Sequence, residues 1–278
     1  MKNSAWLLRC LAYATASLVS LICLYPFFWM LVSAFRTSKA ILAAPLRPWP
    51  ESFSWAVLSD LAQIGGTPLW VYAGNSVLIT TASTALSILV TALGAYALVR
   101  RPDFWLFKVL RMGFLATIMY PYMLLVIPVY LVMFKIGLLG SYAGIVLFLA
   151  VGPIQFFLFE QFFQTLPRSV LEAAVVDGAT ERQVLFQVVM PMAIPVVATA
   201  SIITFLLNWS QWLPVLVVSK SPSTYTLPVA LMNLNGELGV NFQGIMALSA
   251  MTTLPVIVFF LLAQRRVMTG MTAGAVKG

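Results

Sequence analysis

Between Leu171 and Pro191 the chain reads LEAAVVDGATERQVLFQVVMP, a short charged stretch held between two long apolar runs. Glu172, Asp177, Glu181 and Arg182 supply charge, and Gly178 supplies a turn. Such a set suits recognition of another surface better than bond-making. Elsewhere the inventory removes whole enzyme classes. The chain has no histidine, so His-based triads, the usual zinc sites and imidazole proton relays are out of reach. No GxxxxGK[ST] occurs, so the chain cannot hold ATP in a P-loop by itself. Cys10 and Cys23 stand thirteen positions apart on what should be one helix. That is about 20 Å along its axis, too far for a disulfide, so both read as core thiols.

The elements that must carry the charged stretch are set by composition. Of 278 residues, 61% are hydrophobic and 9% charged, with a mean hydropathy of +0.96. A soluble globule carries roughly a quarter charged residues, so this chain belongs in a bilayer. A spanning helix needs roughly 20 apolar residues. Charge-free runs extend over Cys10–Phe35, Leu61–Val99, Met112–Phe134, Ile136–Phe159, Gln183–Ser219 and Leu238–Gln264, which predicts six transmembrane helices and an all-α integral membrane protein. Gly65-Gly66-Thr67-Pro68 should break the second run so that its helix begins near Leu69. Pro191 should divide the fifth run into an amphipathic piece and a span. The first run is too long for a secretory leader and lacks a small-residue cleavage site.

Orientation follows from the cations. With the amino terminus inside, eleven Lys and Arg lie in the cytoplasm and five outside (Arg36, Lys39, Arg47, Lys135 and Lys220), as the positive-inside rule asks. Both termini are then cytoplasmic. The net charge of +8 is a topological signal whose partner is membrane lipid, with no soluble face for nucleic acid. One membrane domain, 1–278, is expected, with its core at 69–266. The outer stretch Arg36–Pro68 is rich in proline and carries Trp49, Phe53 and Trp55, suited to the membrane rim or to an outside partner. Ser83, Ser87, Thr91 and Ala95 recur every four residues, a small-residue stripe for close helix packing. Prolines at 26, 121, 128, 153, 195, 214 and 255 fall in or beside spans, where neighbouring protein or a cavity must satisfy freed carbonyls. Glu160 is the one acid inside a predicted span, near its cytoplasmic end, where a structural or interfacial role fits.

The charged stretch resolves into two short helices. Ser169 with Glu172 matches a capping box and opens the first. Gly178 closes it in the left-handed conformation. Thr180 with Gln183 caps the second, on which Val184, Leu185, Val188 and Val189 make an apolar stripe until Pro191 turns the chain back. A knob of this kind fits docking, and also fits a helix lying on the lipid interface.

The spacing Glu172-Ala173-Ala174, three residues, Gly178, nine residues, Val188, one residue, Met190-Pro191 resembles the EAA loop of permease subunits of binding-protein-dependent ABC importers. Val and Met replace the usual Ile and Leu. Tyr25-Pro26-Phe27, Ser33-Ala34-Phe35-Arg36, Asn75-Ser76, Ala95-Tyr96-Ala97-Leu98-Val99-Arg100 and the end Gly270 to Gly278 resemble the carbohydrate-uptake branch, which contains the maltose permease subunit MalG. The resemblance covers most of the chain. It implies a type I importer permease fold in a bacterial or archaeal inner membrane, with a coupling loop at 167–191 and a cytoplasmic tail at 267–278.

The resemblance also implies partners: a second, MalF-like permease subunit, two ABC ATPase subunits that bind ATP and Mg, and an extracytoplasmic sugar-binding protein. No cofactor is implied for this chain. By matching position, Glu172 is the charged contact to the ATPase, Ala173 and Ala174 permit close seating, and Asp177, Gly178 and Pro191 belong to the same loop. Gly274, Ala275, Val276, Lys277 and Gly278 form a second ATPase contact. For the solute path the candidates are Asn208, Trp209, Ser210, Gln211 and Trp212, which combine aromatic faces with hydrogen-bonding groups. Ordinary interhelical bonding also accounts for Asn208 and Gln211. Relatives commonly carry Trp-Asn where this chain has Trp209-Ser210. An ion-coupled carrier would want buried carboxylates or an inverted repeat, and a membrane enzyme a catalytic constellation. A permease for glycerol 3-phosphate stays open.

Overall fold

The computed structural model describes the backbone of residues 2–47, 49–120, 122–237 and 241–275. Among the described residues the regular structure is helical apart from one hairpin of two-residue strands. Helix α1 (Lys2–Ser33) runs through Pro26 without a break. It is followed by α2 (Ser38–Ala43), α3 (Ala56–Asp60) and the antiparallel pair β1 (Gln63–Ile64) and β2 (Thr67–Pro68). Gly65 and Gly66 both have positive φ, 56° and 75°, as a two-residue hairpin turn requires. That turn is the break expected in the second run, and α4 (Leu69–Arg100) starts at once after it.

Helices α5 (Trp105–Met119) and α6 (Tyr122–Lys135) divide the third apolar run. Tyr120, the residue before Pro121, is extended at φ −90° and ψ 138°, because the proline ring disfavours helical geometry in its predecessor. Then come α7 (Tyr142–Leu149) and α8 (Pro153–Gln164), bent by 50°. Next are α9 (Arg168–Val176), α10 (Glu181–Gln183), a π-helical turn over Val184–Val189, α11 (Met190–Met192) and α12 (Ile194–Trp209). The chain ends with α13 (Leu213–Val218), α14 (Leu227–Glu237) and α15 (Phe242–Ala275). Among the described residues three helices are long and apolar enough to cross a membrane alone, and two bent pairs raise the number to five. The sixth expected crossing is the run shared by α5 and α6.

Two compact units are formed. The first comprises residues 1–69 and 230–255. Within it Arg36 is 2% exposed, and its guanidinium donates to the carbonyls of Ala40, Ala44 and Arg47 at 2.8, 2.8 and 3.0 Å. Those bonds satisfy carbonyls at the end of α2 and in the turn that follows it, which gives the Ser33–Arg36 stretch a physical task. Gln243 Nε2 ties the same segment down through Ala34 O and Ser54 O. Phe35 packs edge-on against Phe53 and Trp55. Cys10 and Cys23 are free but exposed, contrary to the expectation of core thiols, because among the described residues none covers the stretch of α1 that carries them.

The second unit comprises residues 70–229 and 256–278. Its α4 is the central post. Ser83, Ser87, Thr91 and Ala95 are all buried, at 0–1% exposure, and the small stripe is therefore a packing face. The core on one side joins Ala92, Ala95 and Tyr96 to Phe156, Phe159 and Phe163 of α8. Another core joins Ile79 to α7 and α13 through Ile145, Val215 and Val218.

Candidate docking site

The knob is built by local chemistry. Pro167 occupies the cap of α9 with φ −61° and makes no side-chain cap bond, so Ser169 falls inside the helix. The expected capping box of Ser169 and Glu172 is therefore absent, because proline fixes the helix entry two residues earlier. At the other end the Gly178 amide donates to Val175 O and the Ala179 amide to Ala174 O, both at 3.0 Å. With Gly178 at φ 80° this is a Schellman closure. Thr180 and Gln183 do form a reciprocal capping box. Pro191 is exposed at the start of α11, and the 73° bend falls two residues on, at Ala193. Pro191 lacks an amide donor, yet it fits the first turn of a short helix, so the turn waits for the end of α11.

One face of the knob is fixed to the bundle. Val184, Leu185 and Val189 are 0%, 8% and 0% exposed and join the core containing Ala92, Ala95, Phe159 and Phe163, while Val188 is half-buried. Leu171 and Ala174 pack against that core from α9. The opposite face is bare. Glu172, Ala173, Asp177 and Gly178 are exposed, with Val175 at 51% and Val176 at 86%.

A clasp that sequence reasoning missed holds the knob to α4. Arg100 Nη2 donates to Glu181 Oε1 at 2.7 Å, and the Tyr96 hydroxyl donates to Glu181 Oε2 at 3.2 Å. Glu181 sits on the knob with 62% of its side chain exposed. The sole signal for it was the Ala95–Arg100 stretch. Glu160, 3% exposed, accepts from Arg111 Nε at 2.9 Å and Gln164 Nε2 at 3.2 Å, so the carboxylate in the span is an ion-pair partner.

The candidates for the solute path separate. Asn208 Nδ2 donates to Ser83 Oγ at 2.9 Å and to Leu149 O at 3.4 Å, a tie between helices. Trp209 is buried and ends α12. Ser210 Oγ donates back to Leu206 O and Leu207 O. Trp212 packs on the core around Val215. Gln211 and Asn208 border a cavity of about 290 Å³ at the break between α7 and α8. Gln155, which sequence reasoning passed over, lines it with Gly152. Of the expected tail contact, Gly274 and Ala275 end α15, and Val276, Lys277 and Gly278 lie outside the described residues.

Helices of spanning length, broken and bent, with an exposed charged knob fastened to them define a multi-pass membrane protein. Residues 88–272 match the model of the family described as binding-protein-dependent transport system inner membrane component, and the chain belongs to that family. It is 30% identical over 270 residues to the sulfoquinovosyl glycerol transport system permease protein SmoH of Agrobacterium fabrum, covering 96% of this chain and 94% of that one. It is 33% identical to the arabinooligosaccharides transport system permease protein AraQ of Halalkalibacterium halodurans, over 75% of each chain. The fold matches a chain in the crystal structure of a bacterial ABC transporter that imports the acidic polysaccharide alginate. There the TM-score is 0.79 at 21% identity, over 94% of this chain and 97% of that one.

Proposed function

We propose that this chain is the permease subunit of an ATP-driven importer, forming half of the pathway for a sugar or sugar-like solute delivered by a binding protein. The observation that carries the reading is the knob over 167–191, whose outer face leaves Glu172, Ala173, Val175 and Val176 bare while its inner face is locked into the core of α4 and α8. Apolar side chains exposed beside carboxylates on a rigid projection are the makings of a protein interface. A separate ATPase pair, which holds ATP and Mg, seats on that face, and its closure tilts α4, α8 and α12 as bodies through Val184, Leu185 and Val189. A second permease completes the pathway. The termini and the knob lie on the cytoplasmic side. Two of the relatives that match are by name permeases of sulfoquinovosyl glycerol and arabinooligosaccharide systems, which supports a carbohydrate cargo.

The test is to assemble the importer with its binding protein and screen sugars and sugar phosphates for stimulated ATP hydrolysis. Glu172→Lys and Gly178→Val should abolish transport while leaving insertion in the membrane intact. Normal uptake by both variants would overturn the docking assignment.

A further inference from the structure

Beside the knob lies a basin of about 770 Å³ whose wall carries Arg100, Lys108, Arg111 and Arg168 against the carboxylates Glu160 and Glu172. Four cations face two acids. Arg100 is already engaged with Glu181, and Arg111 gives only its Nε to Glu160. Lys108 reaches Asp103 at 3.9 Å, a fully exposed carboxylate, so that pairing is weak. Arg168 has no acidic group within 4.0 Å among the described residues. The wall therefore offers the ends of Lys108, Arg111 and Arg168 to an anion.

Two further observations decide what kind of anion. Glu160 is buried to 3% exposure and spends its one ion pair on fixing Arg111. A buried carboxylate is costly unless paired, and here the pairing holds a half-exposed guanidinium at the basin wall. The rest of the lining is largely apolar, including Leu98, Val99, Phe163 and Leu166. On α5, which supplies Lys108 and Arg111, Trp105, Val109 and Met112 are 67%, 54% and 70% exposed. Cations above an apolar floor, next to a helix with an uncovered apolar surface and an interfacial tryptophan, match an amphiphile with an anionic head.

We propose that this basin is a binding site for the phosphate of an anionic phospholipid, with the lipid's acyl portion lying along the exposed surface of α5. Because Arg168 and Glu172 belong to the knob and Lys108 and Arg111 to α5, the bound lipid bridges the docking element and the bilayer. The proposal needs only the multi-pass membrane fold and holds whatever solute is carried.

The experiment places the assembled importer in nanodiscs and counts lipid retained per complex by native mass spectrometry, with phosphatidylglycerol against phosphatidylcholine and with inorganic phosphate as competitor. Phosphatidylglycerol should be retained preferentially. Lys108→Gln and Arg168→Gln should each weaken that retention by about fivefold, the worth of one cation near an anionic headgroup. Arg101→Gln removes an equal charge from an exposed position outside the basin and should leave retention within twofold of the parent. An equal loss in Arg101→Gln would reduce the effect to general surface charge and overturn the site. Displacement by millimolar inorganic phosphate would make it a free-anion site and overturn the lipid. Retention by the isolated permease that vanishes when the ATPase is bound would assign the basin to an acidic segment of that partner, and would also overturn it.

Discussion

The two ends of α4 hold their neighbours by different chemistry. Near its start, Asn75 and Ser76 are 5% and 1% exposed. Asn75 Nδ2 donates to Ser223 O and Tyr225 O at 2.8 and 2.9 Å, and its Oδ1 accepts from the Tyr142 hydroxyl at 2.8 Å. Ser76 Oγ accepts from the Leu227 amide at 2.8 Å. Neutral, sheltered bonds thus pin the loop between α13 and α14. At the far end Arg100 and Tyr96 clasp a glutamate whose side chain is 62% exposed. Sheltered amide bonds leave unsatisfied partners when broken, whereas exposed ions are re-solvated on release. At one end of α4 sheltered polar bonds hold a loop, and at the other an exposed ionic clasp is added to the apolar core that already holds the knob.

The largest expected effect lies at the fixed end. Asn75→Leu removes three bonds, takes the donor from the Tyr225 carbonyl while Ser223 O keeps the Tyr142 hydroxyl at 3.3 Å, and should cost about 3 kcal/mol in thermal unfolding of the purified chain. Gly144, on neighbouring α7, is packed so tightly that an added Cβ would come within 2.3 Å of the Leu138 carbonyl oxygen. Backbone cannot give way cheaply, so Gly144→Ala should cost about 2 kcal/mol by the same measurement. Asn75→Leu proving milder than Glu181→Gln would dissolve the contrast between the ends.

What the sequence made legible follows the same division between near and far. The Gly178 closure, the capping box of Thr180 with Gln183 and the apolar stripe of Val184, Leu185 and Val189 are local, set by spacings of three to five residues, and they could be read directly. The break before Leu69 was legible because two adjacent glycines specify the turn. The cap of α9 was misread because Pro167 and Ser169 both signal a helix start, and the proline's rigid φ prevails. Asn75-Ser76 and Ala95–Arg100 stood out by resemblance alone. Their tasks depend on partners 148 and 81 residues away, beyond the reach of any periodicity. The same holds for Glu160, whose partner Arg111 comes from another helix.

The clasped end sets the smaller effects, and there the two glycines sharpen the comparison. A Cβ on Gly178 meets nothing within 4 Å, so only its φ of +80° resists substitution. Gly178→Ala should therefore cost about 1 kcal/mol, half the effect at Gly144 for the same added methyl. Glu181→Gln should be smaller still, under about 1 kcal/mol in low salt and close to nothing in high salt, since a half-exposed pair is screened within a Debye length. Its mark should instead appear in transport. With the clasp to Arg100 weakened, the knob keeps its core contacts through Val184 and Val189 but loses the ionic part of its hold on α4. ATP hydrolysis by the assembled complex should then continue while solute moved per ATP falls. A Glu181→Gln variant that destabilises strongly and independently of salt would show that the clasp is a structural bond like the one at Asn75, and the contrast between the two ends would fall.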